Sequence, residues 1–422
     1  MKFPRYPKYK PSGIDWLGEG PAHWEVKRLK YSASSNDEAL PETTLPEFEL
    51  RYVDIGNVDS AEGIIAAEQL TFDTAPSRAR RIVRDGDTIV STVRTYLRAI
   101  APIRNPPENL IVSTGFAVIR PRMIDPHFLS YALRESSFVE TIVARSVGVS
   151  YPAVNASEVG TIPIPLPKSN EQRAIAEFLD RETSRLDTLV GKKRELIEKL
   201  KEKRTALISR TVARGLNSNV KLKPSGIKWL GDIPERWELL PLTKYVAEKS
   251  DYRGKTPEKV ADGVFLVTAK NVRMGWIDYE ASQEFVLEED YAEIMRRGLP
   301  KGGDIVFTTE APLGNVALVD REDVALAQRI IRFRVQPKRF VSQFALYGMM
   351  SDHFQIQLKL LATGSTAEGI KASKLHQLKL LAPPRHEQVA IADYLDRETA
   401  KLDRMMEKVE AVIKSCRNTA PP

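Results

Sequence analysis

The residues best suited to chemistry are polar and basic side chains gathered around short β-like runs. Arg78, Arg80, Arg81 and Arg84 precede the run Thr88-Ile-Val-Ser-Thr92, and Arg94 and Arg98 follow it. An arginine just after a short strand can fork onto guanine or clamp a phosphate, and Ser, Thr and Tyr add short hydrogen bonds. Gly148-Val-Ser-Tyr-Pro-Ala-Val-Asn155 is a glycine-led loop carrying Ser150, Tyr151 and Asn155. Further along stand Lys270, Asn271, Arg273, Thr309 and Arg329, then a second glycine-led loop from Gly364-Ser365-Thr366 to Lys371. Any one of these residues reads equally well as solvated surface. As a set, at matching points of two copies, they point to contacts with nucleic acid.

Catalytic signatures fail on inspection. Gly254-Lys255-Thr256 ends like a phosphate loop, but Lys249 stands where that loop needs its first glycine. Asn105-Pro-Pro-Glu108 approaches the Asn-Pro-Pro-aromatic signature of adenine methyltransferases, yet a glutamate cannot stack on a flipped base. The histidines (His23, His127, His353, His376, His386) lack metal-ligand spacing, and neither HExxH nor GxSxG occurs. No metal site and no catalytic residue is therefore expected. The single cysteine, Cys416, permits no internal disulfide.

A chain of 422 residues with 42% hydrophobic content is a globular protein of two to four domains. No apolar run is long enough for a membrane span, and the start MKFPRYPKYKPSG lacks a signal-peptide core, so a cytoplasmic protein is expected. The net charge of +7 matters only if it falls on surfaces that follow a phosphate backbone.

The chain repeats itself. Lys10-Pro-Ser-Gly-Ile-Asp-Trp-Leu-Gly18 returns as Lys223-Pro-Ser-Gly-Ile-Lys-Trp-Leu-Gly231, and Pro21-Ala-His-Trp24 as Pro234-Glu-Arg-Trp237. Gly86-Asp is echoed by Gly303-Asp, and Glu171-Gln172 through Leu179-Asp-Arg-Glu-Thr183 by Glu387-Gln388 through Leu395-Asp-Arg-Glu-Thr399. This is a tandem duplication. Each copy holds a body of β-branched and aromatic runs with helical pieces near Pro126–Val143 and Ser342–Leu361, a mixed α/β domain. Prolines from Ile162 to Pro167 and from Ala382 to Pro384 form extended lead-ins to long helices. The partition is a first body over 1–168, a helix over 169–216, a second body over 217–384 and a shortened helix over 385–422.

The helices carry a seam. Ile175, Leu179, Leu186, Leu189, Leu196 and Leu200 recur at intervals of three, four or seven, and Ile391, Leu395, Leu402, Met405 and Val412 fall at the equivalent places. This is coiled-coil spacing, and the first helix makes a rod of about 60 Å.

The doubled KPSGIxWLGxxPxxW opening, the glycine-led loop, the proline lead-in and the EQxAIAxxLDRET helix together resemble the specificity subunit of type I restriction–modification systems. The resemblance covers essentially the whole chain. It implies two tandem-duplicated α/β target recognition domains joined by two long helices in an antiparallel coiled coil. Each domain would read one half of a bipartite, asymmetric site in double-stranded DNA. The helix pair would set the gap and dock two methyltransferase subunits, with translocating nuclease subunits joining that core. S-adenosylmethionine, Mg²⁺ and ATP would belong to those partners, and this chain would hold no cofactor. The recognition loops would correspond to Gly148–Asn155 and Gly364–Lys371, with Arg94 and Arg98 on the post-strand turn. Two other readings stay open from the residues alone: a self-contained methyltransferase or nuclease with an unrecognised site, and a coiled-coil adaptor that binds no DNA.

Overall fold

The computed structural model describes residues 6–14, 18–60, 62–254, 256–364 and 368–419, with side chains to 416. The chain divides into two compact units. One runs from the N-terminus to Lys192 and includes the stretch from Ile413 onward; the other is Lys193–Val412. The division falls inside both long helices because helix ends are built into body cores. Ala176 packs with Leu129, Ile142, Val159 and Ile164 in the first unit. Ile208, Val212, Ile391 and Leu395 share a cluster with Tyr245, Phe344 and Leu346 in the second.

The first unit contains two four-stranded sheets. One has the antiparallel order Ile100–Pro102, Thr88–Ser91, Phe116–Pro121, Ala33–Ser35. The other has the order Glu68–Thr71, Glu49–Val53, Leu110–Ser113, Ala79–Ile82, in which the two middle strands run parallel. The second unit repeats this plan. Val246–Asp251, Ile330–Val335, Ile305–Thr309 and Leu313–Leu318 form the antiparallel sheet, with the same neighbour relations as Ala33–Ser35, Phe116–Pro121, Thr88–Ser91 and Ile100–Pro102. Phe285–Val286, Val264–Val267 and Val324–Leu326 form the other, again with one parallel pair. Central strands such as Thr88–Ser91 and Ile305–Thr309 are buried along their whole length, which their β-branched and aromatic content suits. The bodies part ways at one edge. Strand Ala79–Ile82 has no counterpart among the described residues; helix Glu288–Ile294 occupies the corresponding stretch.

Each expected helical piece is two helices. Pro126–Arg134 and Ser136–Arg145 break at Glu135, and Ser342–Met350 and Asp352–Leu361 break at Ser351, both extended residues. The proline lead-ins are extended and also paired: Pro163–Leu166 lies on Glu25–Arg28, and Lys379–Ala382 on Glu238–Pro241.

The central helix spans Ser169–Arg214, 46 residues, or about 70 Å at the α-helical rise. It stops at Gly215, whose φ of +74° lets its N–H reach the Thr211 carbonyl at 2.9 Å. A side chain there would also press on the Trp237 ring, 3.1 Å from where its Cβ would stand. The C-terminal helix is Arg385–Thr419.

The seam is corrected by one residue along part of its length. Leu189, Leu196, Met405 and Val412 are exposed, at 38%, 39%, 52% and 41%. The covered positions are Leu179, Thr183, Leu186, Val190, Lys193, Ile197, Leu200, Arg204 and Leu207 on one helix, with Leu395, Thr399, Leu402, Met406, Val409, Ile413 and Cys416 on the other. These advance by alternating threes and fours, the 3.5-residue repeat of a coiled coil. The four exposed residues sit one place before it. In the second unit Arg204 Nε meets Asp403 Oδ1 at 3.0 Å, while Ile208 and Val212, later on the central helix, join Leu395 and Ile391, earlier on the C-terminal one. The helices are antiparallel there.

Candidate nucleic-acid interface

Each body is fixed to its helix by the same hardware. Trp24 Nε1 donates to Glu171 at 3.1 Å, and Trp237 Nε1 donates to Glu387 at 3.1 Å. Gln172 accepts from the Asp125 N–H at 2.8 Å and donates to the Pro167 carbonyl at 2.8 Å. Gln388 does likewise with Val341 and Pro383, at 2.9 Å each. Two turns further, Asp180 accepts from Tyr131, His127 and Arg104, and Asp396 from Tyr347 and Gln343. The Glu-Gln…Leu-Asp-Arg-Glu-Thr motif is thus the fastening of the body. In the first repeat Tyr6 and His23 join on Glu171. Burial works to raise that carboxyl, but the hydrogen bonds from Tyr6, Trp24 and His23 outweigh it and hold it below the usual range. The Glu171 hydrogen bond pushes the Tyr6 hydroxyl up to about 12.

The repeated Gly-Asp is a second fastening. Asp87 takes Arg120 in a two-pronged pair at 2.9 and 2.8 Å, and Asp304 takes Arg334 at 2.8 Å on each oxygen. Asp304 also holds Arg332, a fully buried guanidinium shared with Glu248 and Ser250. A buried cation requires this density of partners.

On these frames the glycine-led loops meet the ends of the central strands. In the first body Thr92 N–H donates to Gly115 at 2.8 Å, Val154 N–H donates to Thr92 at 2.9 Å, and Val147 pairs reciprocally with Ala153. In the second, Thr309 N–H donates to Arg329 at 2.8 Å, Ile370 N–H donates to Thr309 at 3.0 Å, and Thr363 pairs with Gly369. These four bonds recur at both junctions, and the first adds one from the Arg94 N–H to Pro152 at 2.8 Å. They also concentrate strain: of seven non-glycine residues with positive φ among the described residues, Arg94, Arg98, Ala311, Gln328 and Arg329 lie here. Left-handed non-glycine residues are uncommon and cluster at functional sites.

The predicted residues divide by environment. Arg94 is exposed, with its guanidinium 4.8 Å from the Tyr151 ring centroid and no ion pair among the described residues. Tyr151 and Ser150 are exposed on the loop, and Asn155 caps the following turn through Glu158. Arg98 pairs with Glu140, and Arg78 with Asp54 at 2.7 Å. Arg80 lies over Phe72, and Arg81 is half-buried on the edge strand, its Nε without a partner. Lys270 and Arg273 are paired with Glu284 and Asp278 at 3.2 Å each, and Lys371 is exposed before its helical turn.

Asn271 and Thr309 are corrected. Asn271 is fully buried, holding Thr268 N–H and the carbonyls of Asp278 and Ser282; Thr309 is buried with its hydroxyl on Arg329 O. Their polar atoms brace the site from within and cannot face a ligand. Ser365 and Thr366 lie outside the described residues.

The sequence reading missed Gln328. It lines a cleft of about 450 Å³ with Arg253, Thr256, Lys270, Ala311 and Arg329, and its amide donates to Thr256 at 2.7 Å. What singles it out is the hydrogen bonding: Arg329, beside it, accepts from the Thr309 N–H as Gly115 accepts from that of Thr92.

A strained, basic and polar junction is thus borne twice on matching frames. The family model described as the type I restriction modification DNA specificity domain matches residues 64–199 and 276–415, once per repeat. The chain belongs to that family. The type I restriction enzyme MjaVIII specificity subunit of Methanocaldococcus jannaschii is 30% identical over 281 residues, covering 65% of this chain and 63% of that protein. The EcoKI specificity subunit of Escherichia coli is 22% identical over 311 residues, covering 71% of this chain and 64% of that one. The matches thus span a little under two thirds of each relative. The fold is also that of a chain from a solved structure on complex assembly and conformational transition of the type I R-M system, with a TM-score of 0.70 at 20% identity over 95% of this chain and 96% of that one. The HsdS subunit from Thermoanaerobacter tengcongensis gives 0.51 at 22% identity over 95% and 97%.

Proposed function

We propose that this chain is the DNA specificity subunit of a type I restriction–modification complex. Each recognition domain reads one half of a bipartite site, and the helix pair sets the gap and docks methyltransferase subunits. The observation that carries this reading is the doubled junction. Two frames share the same four backbone bonds between loop and strand ends, yet Arg94 and Gly115 in one stand where Ala311 and Arg329 stand in the other. Equal frames bearing unequal side chains suit two readers of different half-sites, hence an asymmetric target.

The chain itself carries out no bond-breaking step. S-adenosylmethionine, Mg²⁺ and ATP act on partner methyltransferase and nuclease subunits, in the cytoplasm. No helix among the described residues is long and apolar enough to cross a membrane. The exposed Leu189, Leu196, Met405 and Val412 give the helices apolar surface for those partners.

The test is reconstitution. The chain with its methyltransferase partner should methylate one split sequence, with DNA affinity that falls steeply with salt. Methyl transfer by the chain alone would overturn the reading, as would a complex with no sequence preference.

A further inference from the structure

The two junctions differ in where they present a cation. Arg94 stands on the left-handed turn after its central strand, φ 53°, and leans on Tyr151. Ala311 holds the same left-handed position, φ 40°, and offers only a methyl group. Across the shared hydrogen bond, Gly115 in the first domain is replaced by Arg329 in the second. Gln328 and Arg329 are consecutive left-handed residues, φ 57° and 62°. Strain held at two successive positions needs a reason beyond the fold, since glycine would hold the same conformation without it.

We propose that Gln328 and Arg329 are the specificity-determining pair of the second domain, presented from the residue before the strand where the first domain uses Arg94 from the turn after it. The inference rests on the DNA-reading function above. A glutamine amide matches the N6 and N7 edge of adenine, and an arginine fork matches O6 and N7 of guanine. The pair therefore reads adjacent purines in the second half-site.

The competing role for Arg329 is a phosphate clamp. Glu310 argues against it: its carboxylate lies 3.5 Å from the Arg329 guanidinium and is itself part-exposed. A neighbouring negative charge weakens attraction to a phosphate far more than it weakens directional bonds to a base edge. The cleft left by Ala311 adds room on the same side, and the bond from Gln328 to Thr256 holds the amide at its wall. Arg253, also on the wall, is already committed to Asp251 through two bonds at 2.9 and 2.6 Å.

The experiment uses the full chain reconstituted with its methyltransferase partner on a library randomised in both half-sites, with methylated products sequenced. For Arg329→Ala, the preference for guanine at one position of the second half-site should fall roughly tenfold to a hundredfold. Arg329→Lys should lose it as well, because an ammonium keeps the charge without the fork. Gln328→Ala should relax the adjacent position. The first half-site stays unchanged in all three and reports that the complex is assembled.

Uniform weakening across all sequences by Arg329→Ala, with the salt slope reduced by about one and rescue by lysine, identifies a phosphate contact and overturns the inference. Unchanged preferences in every variant overturn it too. If the unsubstituted complex shows no preference in either half-site, the DNA-reading function fails and this inference falls with it.

Discussion

The indole N–H of Trp237 donates to the carboxylate of Glu387 at 3.1 Å, and nearly the whole second body lies between those two residues in the chain. The same bond joins Trp24 to Glu171. Each body is closed like a loop on its own helix, with the buried glutamine beside the glutamate securing the proline strand. A reading surface built on such a closure keeps a fixed orientation to the helix that carries it.

Loss of Gln388 should therefore be felt as stability. Gln388→Ala leaves the Val341 N–H and the Pro383 carbonyl unpaired in a buried place, at a cost of about 1–3 kcal/mol. Urea unfolding should show the midpoint falling with an unchanged slope.

The seam separates neighbours. Ile197 is 8% exposed and Leu196 is 39% exposed. Ile197→Ala should cost about 2–4 kcal/mol and Leu196→Ala under about 1 kcal/mol. Thermal melts of the two variants compare them directly, and equal losses would contradict the assigned seam.

Acid sensitivity has two separate ranges. Asp180 and Asp304 are raised by burial but held lower overall, by His127, Arg104 and Tyr131 in one case and Arg334 and Arg332 in the other. A carboxyl with a depressed folded value stabilises fully above its unfolded range near 4 and loses that contribution as pH falls through the folded value. His353 behaves differently: burial lowers it, with a smaller lowering from Arg214, against opposing effects of the Ser209 backbone and Asp352. Below about 6.5 the unfolded chain takes up the proton first, so stability declines from there toward the folded value. His353→Gln should flatten the slope of unfolding free energy between pH 7 and 5 and leave the loss near pH 4 in place.

Arg94 should act on one half-site. Arg94→Ala removes an exposed guanidinium without an ion pair among the described residues and should relax one position of the first half-site roughly tenfold. Tyr151→Ala, which removes only the ring beneath it, should have a smaller effect at the same position. Methylation sequencing reads both, and a change confined to the second half-site would contradict the domain assignment.

Much of this was legible in the sequence because the chain could be compared with itself. The duplication exposed the strands, the helices and both glycine-led loops, and Arg94 lies where a left-handed turn follows its strand. The seam was misplaced because Leu189 and Leu196 are seven apart and apolar, while hydrophobicity alone does not tell a seam position from its flank. Lys193 and Arg204 do occupy covered seam places through their long aliphatic stems. Asn271 and Thr309 looked like contacts because their polarity is visible and their burial is not. Gln328 escaped notice because the repeat offset changes between Thr309 and Arg329, so the match to Gly115 emerges only from hydrogen bonding.

Cys416 is the chain's only thiol, and it occupies a half-buried seam position near the end of the C-terminal helix. An alkylating reagent reaches it fully only when that end opens. The rate of its labelling is therefore a clock for fraying of the helix end. A partner that clamps the end should slow the clock, and no foreign label is needed to read it.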